Sequence, residues 1–388
     1  MTAKKPSPPA VRAARNFISR CRRWRQYLPF SLACGLPQLL RGENQVAYRY
    51  EFYSEDKQRM QIQTHSVYFE QKLAEKVTAK GELTYDGVSG ATPTGTYKNS
   101  NGKVLLKTIT PDIRRAANLG AEWRFGDHKL ATGFSFSKEH DYLSYGVSVA
   151  DAFEFNQKNT VLKYGVSHNF DSVLDNYSPR TPHDKSSTDV ILGISQLLSP
   201  KTILDAKLTF GNDSGYLSDP YRFIEYLPPG FFFGLPANDT RPSHRNKEIL
   251  LASITHYFES LNASLEGSYR FHHDSYGVFS HTAAVSWHQK LGRYLILEPD
   301  FRFYTQSAAD FYYAGIVQGN LPPTFYSADY RLSQFYSLNY GIQATLVLND
   351  HVRLNAGYHR YEMIGLDRTD ADMYPQANIF TIGLQILW

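Results

Sequence analysis

The stretch ANIFTIGLQILW, residues 377–388, decides how the rest of the chain is read. In steps of two, Phe380, Ile382, Leu384, Ile386 and Trp388 fall on one side. Thr381, Gly383, Gln385 and Leu387 fall on the other. Successive side chains of a strand point to opposite faces, so the spacing predicts a strand with one unbroken apolar face. A second protein layer or lipid must cover such a face.

The same alternation recurs through the chain. NQVAYRYEFY sets Val46, Tyr48, Tyr50 and Phe52 against Gln45, Ala47, Arg49 and Glu51; VTAKGELTYD sets Leu83 and Tyr85 against Lys80 and Glu82. ANLGAEWRFG, ILDAKLTFG, ASLEGSYRF and VRLNAGYHRY repeat the pattern. The polar faces carry full charges of both signs, and unpaired charges are too costly for an ordinary apolar core. The segments are about ten residues long, which crosses a bilayer when tilted. A wet face and a dry face repeated around a closed sheet describe a barrel in lipid.

Sixteen strands are predicted: 44–53, 61–72, 77–86, 114–125, 129–138, 143–154, 160–170, 187–198, 202–211, 247–258, 263–272, 279–290, 294–304, 331–347, 352–361 and 377–388. Fourteen or eighteen are the alternatives. Every second connection is a tight turn such as GDH, SPK or LGR. The long connections, 87–113, 171–186, 212–246, 305–330 and 362–376, all fall on the other side. This asymmetry predicts an all-β, transmembrane, antiparallel up-and-down barrel spanning 44–388 in the outer membrane of a Gram-negative bacterium.

Composition agrees. No apolar run reaches the roughly 20 residues of a transmembrane helix. Aromatic residues make up 14% of the chain, with 28 Tyr and 24 Phe, which suits rings placed at a lipid–water interface. The net charge of +4 is uneven: residues 1–43 carry nine Lys or Arg and one acid, against 32 basic and 36 acidic residues in the remainder. The basic excess therefore belongs to the leader, and nucleic acid is not an expected partner. Cys21 and Cys34 also lie in the leader, so the barrel has no disulfide framework or thiolate metal site. The leader, with its basic cluster before a short apolar core, reads as an export signal; a basic tail is the alternative.

Several phrases, ENQVAYRYEFY (43–53), SGATPTG (89–95), DPYR (219–222), RPSHRNK (241–247), GSYRFHHDS (267–275), YSADYRL (326–332) and RYEMIGLD (360–367), are together similar to a bacterial family of outer-membrane β-barrel proteins described only as a domain of unknown function. The resemblance covers residue 43 to the end. It implies the barrel fold and carries no catalytic residue.

Arg49, Glu51, Lys80, Glu82, Glu122, Arg124, Asp205, Lys207, Glu266, Arg270, Arg302 and Arg353 are expected to line the lumen. Such charges either select small polar solutes or form ladders that stiffen the wall. Phe231, Phe232 and Phe233, between Pro-Gly and Gly-Leu-Pro breaks, are a candidate constriction loop. Phe380, Ile382, Leu384, Ile386 and Trp388 resemble the terminal signal recognised by the outer-membrane assembly machinery. His272, His273 and Asp274, with His281 nearby, and His244 with Asn246 are the places where hydrolytic chemistry is weighed; adjacent strand residues point apart, which disfavours a shared ligand. No cofactor or metal is expected. The expected function is a porin-like channel for small hydrophilic solutes in contact with outer-membrane lipid. A plugged receptor or scaffold for a periplasmic system and a hydrolase are the alternatives.

Overall fold

The computed structural model describes residues 44–98, 104–175, 180–321 and 324–388. The leader with its two cysteines lies outside them. Among the described residues the strands are β1 (Gln45–Glu55), β2 (Met60–Ala74), β3 (Val77–Lys98), β4 (Val104–Phe125), β5 (His128–Lys138), β6 (Tyr142–Phe155), β7 (Thr160–Leu174), β8 (Pro182–Ser199) and β9 (Thr202–Gly215). They continue with β10 (Phe223–Leu227), β11 (Leu235–Asn238), β12 (His244–Phe258), β13 (Ala263–Asp274), β14 (Phe279–Leu291), β15 (Leu295–Gln306), β16 (Val317–Gln318), β17 (Phe335–Val347), β18 (Val352–Gly365) and β19 (Gln376–Leu387). All but the short β10, β11 and β16 form a closed antiparallel barrel of sixteen strands.

Closure is made by β1 and β19, whose register pairs Val46 with Ile386, Tyr48 with Leu384 and Phe52 with Phe380. Every wall strand therefore has two hydrogen-bonded neighbours. Unpaired backbone groups cannot face hydrocarbon, so this closure is what permits the wall to stand in lipid. Inside the same seam, Gln385 Nε2 donates to Gln45 Oε1 (2.6 Å) and Gln45 Nε2 to Glu70 Oε2 (3.0 Å).

The two faces divide as the alternation predicts. Leu83 is 52% exposed, and Tyr48, Leu208, Leu250, Phe301, Ile342 and the β19 row from Phe380 to Trp388 are exposed with it. Their neighbours Gln45, Thr381 and Gln385 are buried inside. From Phe380 to Trp388 the apolar band is roughly 20 Å tall, at ~3.4 Å per residue and a strand tilt of about 40°. Outward rings pair across strands, as in Tyr358–Phe380 (5.1 Å between centroids) and Tyr50–His65 (5.0 Å).

All sixteen predicted strands are present, and the main correction concerns 87–113. Its Gly, Thr, Pro and Ser content reads as a loop, yet the described parts continue β3 and β4 as an arm well past β2. Strand pairing here overrides composition, with register shifts at Val88/Gly90 and Pro93/Lys98 marking the bends. Gly90 takes a positive φ of 125°, and a Cβ there would meet Arg59 O at 2.3 Å. The regions 212–246 and 305–330 also contain β10, β11 and β16 rather than plain loop.

If the outer face contacts lipid, Leu208→Arg near mid-wall is expected to destabilise the barrel by about 2–4 kcal/mol, whereas the same change at a rim position costs much less. Denaturant unfolding in liposomes measures the difference.

Candidate functional site

By strand register the twelve expected lumen residues fall on the side of the sheet opposite the exposed apolar row. Several of them pair along the wall. Lys80 Nζ lies 2.9 Å from Glu122 and 3.8 Å from Glu70, and Arg124 lies 3.7 Å from Glu122. Lys163 lies 3.4 Å from Asp205, whose carboxylate also accepts from Ser195 Oγ (2.7 Å). Lys247 joins Asp213 (2.8 Å) and Asp189 (3.8 Å) in the same manner. Some of these pairs join neighbouring strands, as Lys80–Glu122 and Lys247–Asp213 do, while Lys163–Asp205 and Lys247–Asp189 reach across an intervening strand. Arg353 is 0% exposed, while Arg124 and Arg302 remain open to water.

The more unusual construction lies over the mouth on the long-loop side. The segment between β9 and β12 sends β10 toward the β3–β4 arm, where Phe223 pairs with Gly95. It also sends β10 toward the β15–β17 segment, where Tyr226 pairs with Val317. Gly95 has φ 137°, and a Cβ would meet Phe223 O at 1.9 Å, so only glycine admits the approach. Ile224 is fully buried beneath this crossing.

Three aspartates and three arginines lock the segments together. Asp329 is 1% exposed and receives Arg241 Nη2 at 2.8 Å, Arg331 Nε at 2.9 Å and, more distantly, Arg222 Nε at 3.7 Å. Arg331 also reaches Asp219, and Arg241 Nε donates to Asp239 Oδ2 at 2.6 Å. Asp239 Oδ2 accepts the Asp219 N–H (2.7 Å), and Arg222 Nη2 donates to Thr92 Oγ1 on the arm (3.1 Å). The motif Asp329-Tyr-Arg-Leu332 sits on a single 3₁₀ turn capped by Asp329. Tyr330 enters an apolar cluster with Phe335, Met363, Met373 and Tyr374; Leu332 enters another with Tyr276, Val278, Ala309 and Phe311. Alternate residues of one turn thus serve the ion cluster and the two small cores beside it.

Burial alone would raise the Asp329 carboxyl, but Arg331, Arg222 and Arg241 outweigh it and hold the group far below the usual carboxylate range. Asp239 behaves oppositely: burial raises it, and Arg241 only partly compensates. Burial lowers Arg241, but Asp239, Asp329 and Asp219 more than restore it, so its guanidinium stays charged.

The hydrolytic candidates do not assemble. His272 points inward and His273 outward, the latter against Phe279 (4.4 Å). Asp274 meets His272 Nε2 at 3.0 Å but is also taken by Arg245 Nε (2.9 Å) and by the Tyr276 and Val278 N–H groups (2.9 and 3.2 Å). That is the geometry of a braced turn. His281 contacts Tyr269 OH (2.7 Å) on the outer face, and His244 and Asn246 are exposed. Phe231, Phe232 and Phe233 form the tip between β10 and β11, and Phe232 is 100% exposed. Among the described residues, Asp112, Glu139 and Asp141 bring three carboxylates within 4.8 Å at the rim. Nothing beyond their charge points to a cation.

The cap was hidden from sequence reading although every segment of it lies in or beside a quoted motif. The faint signal is the recurrence of Asp and Arg together in DPYR and ADYR within long loops that also carry aromatic residues.

Residues 33–180 and 174–375 match the family model described as "Protein of unknown function (DUF3570)". No curated protein matches the sequence. Among solved structures the chain is similar to CdiB from Acinetobacter baumannii, with 7% identity, a TM-score of 0.50 and coverage of 88% of this chain and 60% of that one. It is also similar to a bacterial polysaccharide outer membrane secretin, with 10% identity and a TM-score of 0.47, over 89% and 99% of the two chains. The loop L8 deletion mutant of OmpT, an outer membrane protein of Vibrio cholerae, follows with 10% identity and a TM-score of 0.43, over 90% and 99%. At such identities the likeness is one of fold: the chain resembles Gram-negative outer-membrane barrels.

Removing one partner from a buried ionic cluster costs about 3–5 kcal/mol, so Asp329→Asn is expected to open the cap while the wall persists. Limited proteolysis should then cut within 216–243 or 307–334, with heat-shifted gel migration unchanged. Asp329 has a folded pKa below its unfolded value near 3.8. Its contribution is complete above that value and is lost as pH falls through the folded pKa. Asp239, raised on folding, works in the opposite sense. Hydrogen-exchange protection of the cap should therefore hold from neutrality to about pH 4 and weaken only below it.

Proposed function

The chain belongs to the DUF3570 family, and from that premise we propose that it is an outer-membrane channel for small hydrophilic solutes whose mouth is roofed by its own loops. The observation that carries this reading is the two-sided wall. Its outer face carries a continuous apolar band, and its inner face bears charges of both signs, some of them open to water. A sixteen-strand barrel is wide enough for an aqueous lumen. The outward Phe380–Trp388 row would be read by the assembly machinery, and the basic leader would direct export. The reading includes no catalysis: Asp274, the one acid beside the inward His272, is committed to Arg245 and to its own turn.

The cap restricts the entrance. Passage would be narrow and selective rather than general, with the Asp329 cluster fixing the loops and the Phe231–Phe233 tip standing free of them. The same buried lock favours one other reading, a closed barrel serving as a receptor or scaffold for a periplasmic system.

Reconstitution in a planar bilayer separates the two. Discrete ion-sized steps are expected from the wild type, with a larger open level after Asp329→Asn. A correctly folded barrel that stays silent in both forms sinks the channel reading and selects the closed one.

A further inference from the structure

We propose that Arg270 and Arg302 form an anion-binding subsite on the lumen wall immediately beneath the cap, suited to a small carboxylate or phosphate. Both lie on the inner face, Arg270 on β13 and Arg302 on β15, with β14 between them. In register, Arg270 stands opposite Thr282, which stands opposite Tyr304; Arg302 stands opposite Asn339, which stands opposite Tyr361. Two guanidiniums are thus set among hydroxyl and amide groups on a continuous patch of wall. Tyr304 and Tyr361 pack upward against the cap's Tyr330–Tyr374 cluster, which fixes the depth of the patch.

Several basic groups of the wall, Lys80, Lys163 and Lys247 among them, are matched by acids. Arg270 and Arg302 are not, and Lys207 on the same face adds a further positive charge near Arg270. Here nearby carboxylates are already engaged: Asp300 by His359 (2.7 Å), Asp274 by Arg245 and His272, and Glu266 by an interaction of its own. Among the described residues neither Arg270 nor Arg302 has an ion-pair partner, and the two repel each other. Water reaches them, Arg302 most of all. An oxyanion entering here would relieve that repulsion. It would also meet planar donors whose spacing matches carboxylate and phosphate oxygens, a match a lysine ammonium lacks.

The inference deepens the channel reading, on which it rests for the route of entry but not for binding itself. The test is calorimetric titration of the detergent-folded full chain with inorganic phosphate and, separately, with malonate. Both probes are expected to bind and to compete. Arg270→Gln with Arg302→Gln should weaken binding about tenfold or more, the loss of a charge-assisted contact. The Lys pair should fall between, and Lys201→Gln, in the tight turn between β8 and β9 where Lys201 pairs with Glu259 (2.6 Å), should leave binding unchanged. Heat-shifted migration certifies folding of each variant. No binding by the wild type, or equal binding by the double Gln variant, overturns the subsite. A preference for one probe assigns the oxyanion class. The reversal potential across a salt gradient tests the channel independently, since a silent barrel that binds phosphate refutes passage and keeps the site.

Discussion

The structure depends on closing the hydrogen-bond ladder between β1 and β19. In hydrocarbon a free strand edge leaves a row of unpaired N–H and C=O groups, each costing several kcal/mol. An open sheet of this length would present two such edges. Pairing Gln45 through Glu55 with Ala377 through Leu387 removes both, and the inward Gln385–Gln45–Glu70 chain ties the seam from inside. Once the sheet is closed, the inside-outside division of every strand follows from its pleat.

The cap meets a related electrostatic problem with different means. Loops that cross a barrel mouth bury backbone and side-chain polar groups without a regular ladder to satisfy them. Here the segments between β9 and β12, between β15 and β17, and the β3–β4 arm borrow a few strand contacts and then pool their charges. Asp329 accepts from arginines of two different segments, and Arg222 extends the connection to Thr92 on the arm. A buried carboxylate so surrounded is stable only while its partners stay in place, so the cluster couples the three segments into one unit.

The lumen wall combines two electrostatic regimes. Lys80–Glu122, Lys163–Asp205 and Lys247–Asp213 cancel locally and stiffen the wall. Arg270 and Arg302 do not cancel, and they occur where the cap narrows the approach. On the proposed subsite, this contrast separates wall-building charge from charge left available to a solute.

The alternation of Tyr48 with Arg49, of Leu83 with Glu82 and of Phe380 with Thr381 was enough to read the barrel class and the facing of its strands and to favour sixteen over fourteen or eighteen, because a period of two couples each residue's polarity to its side of the sheet. The cap was not legible in this way. SGATPTG has the composition of a loop and becomes strand only because β4 pairs with it and β10 docks on Gly95. Asp219, Arg241 and Asp329 are far apart in the chain, and no local periodicity records that they meet. The same holds for Arg270 and Arg302: sequence placed both in the lumen, but only the packed structure shows that Asp300 and Asp274 are spent on other partners. Local pattern determines which face a side chain occupies; which charges find one another depends on three-dimensional distance, and that is decided when the barrel closes and its loops fold over it.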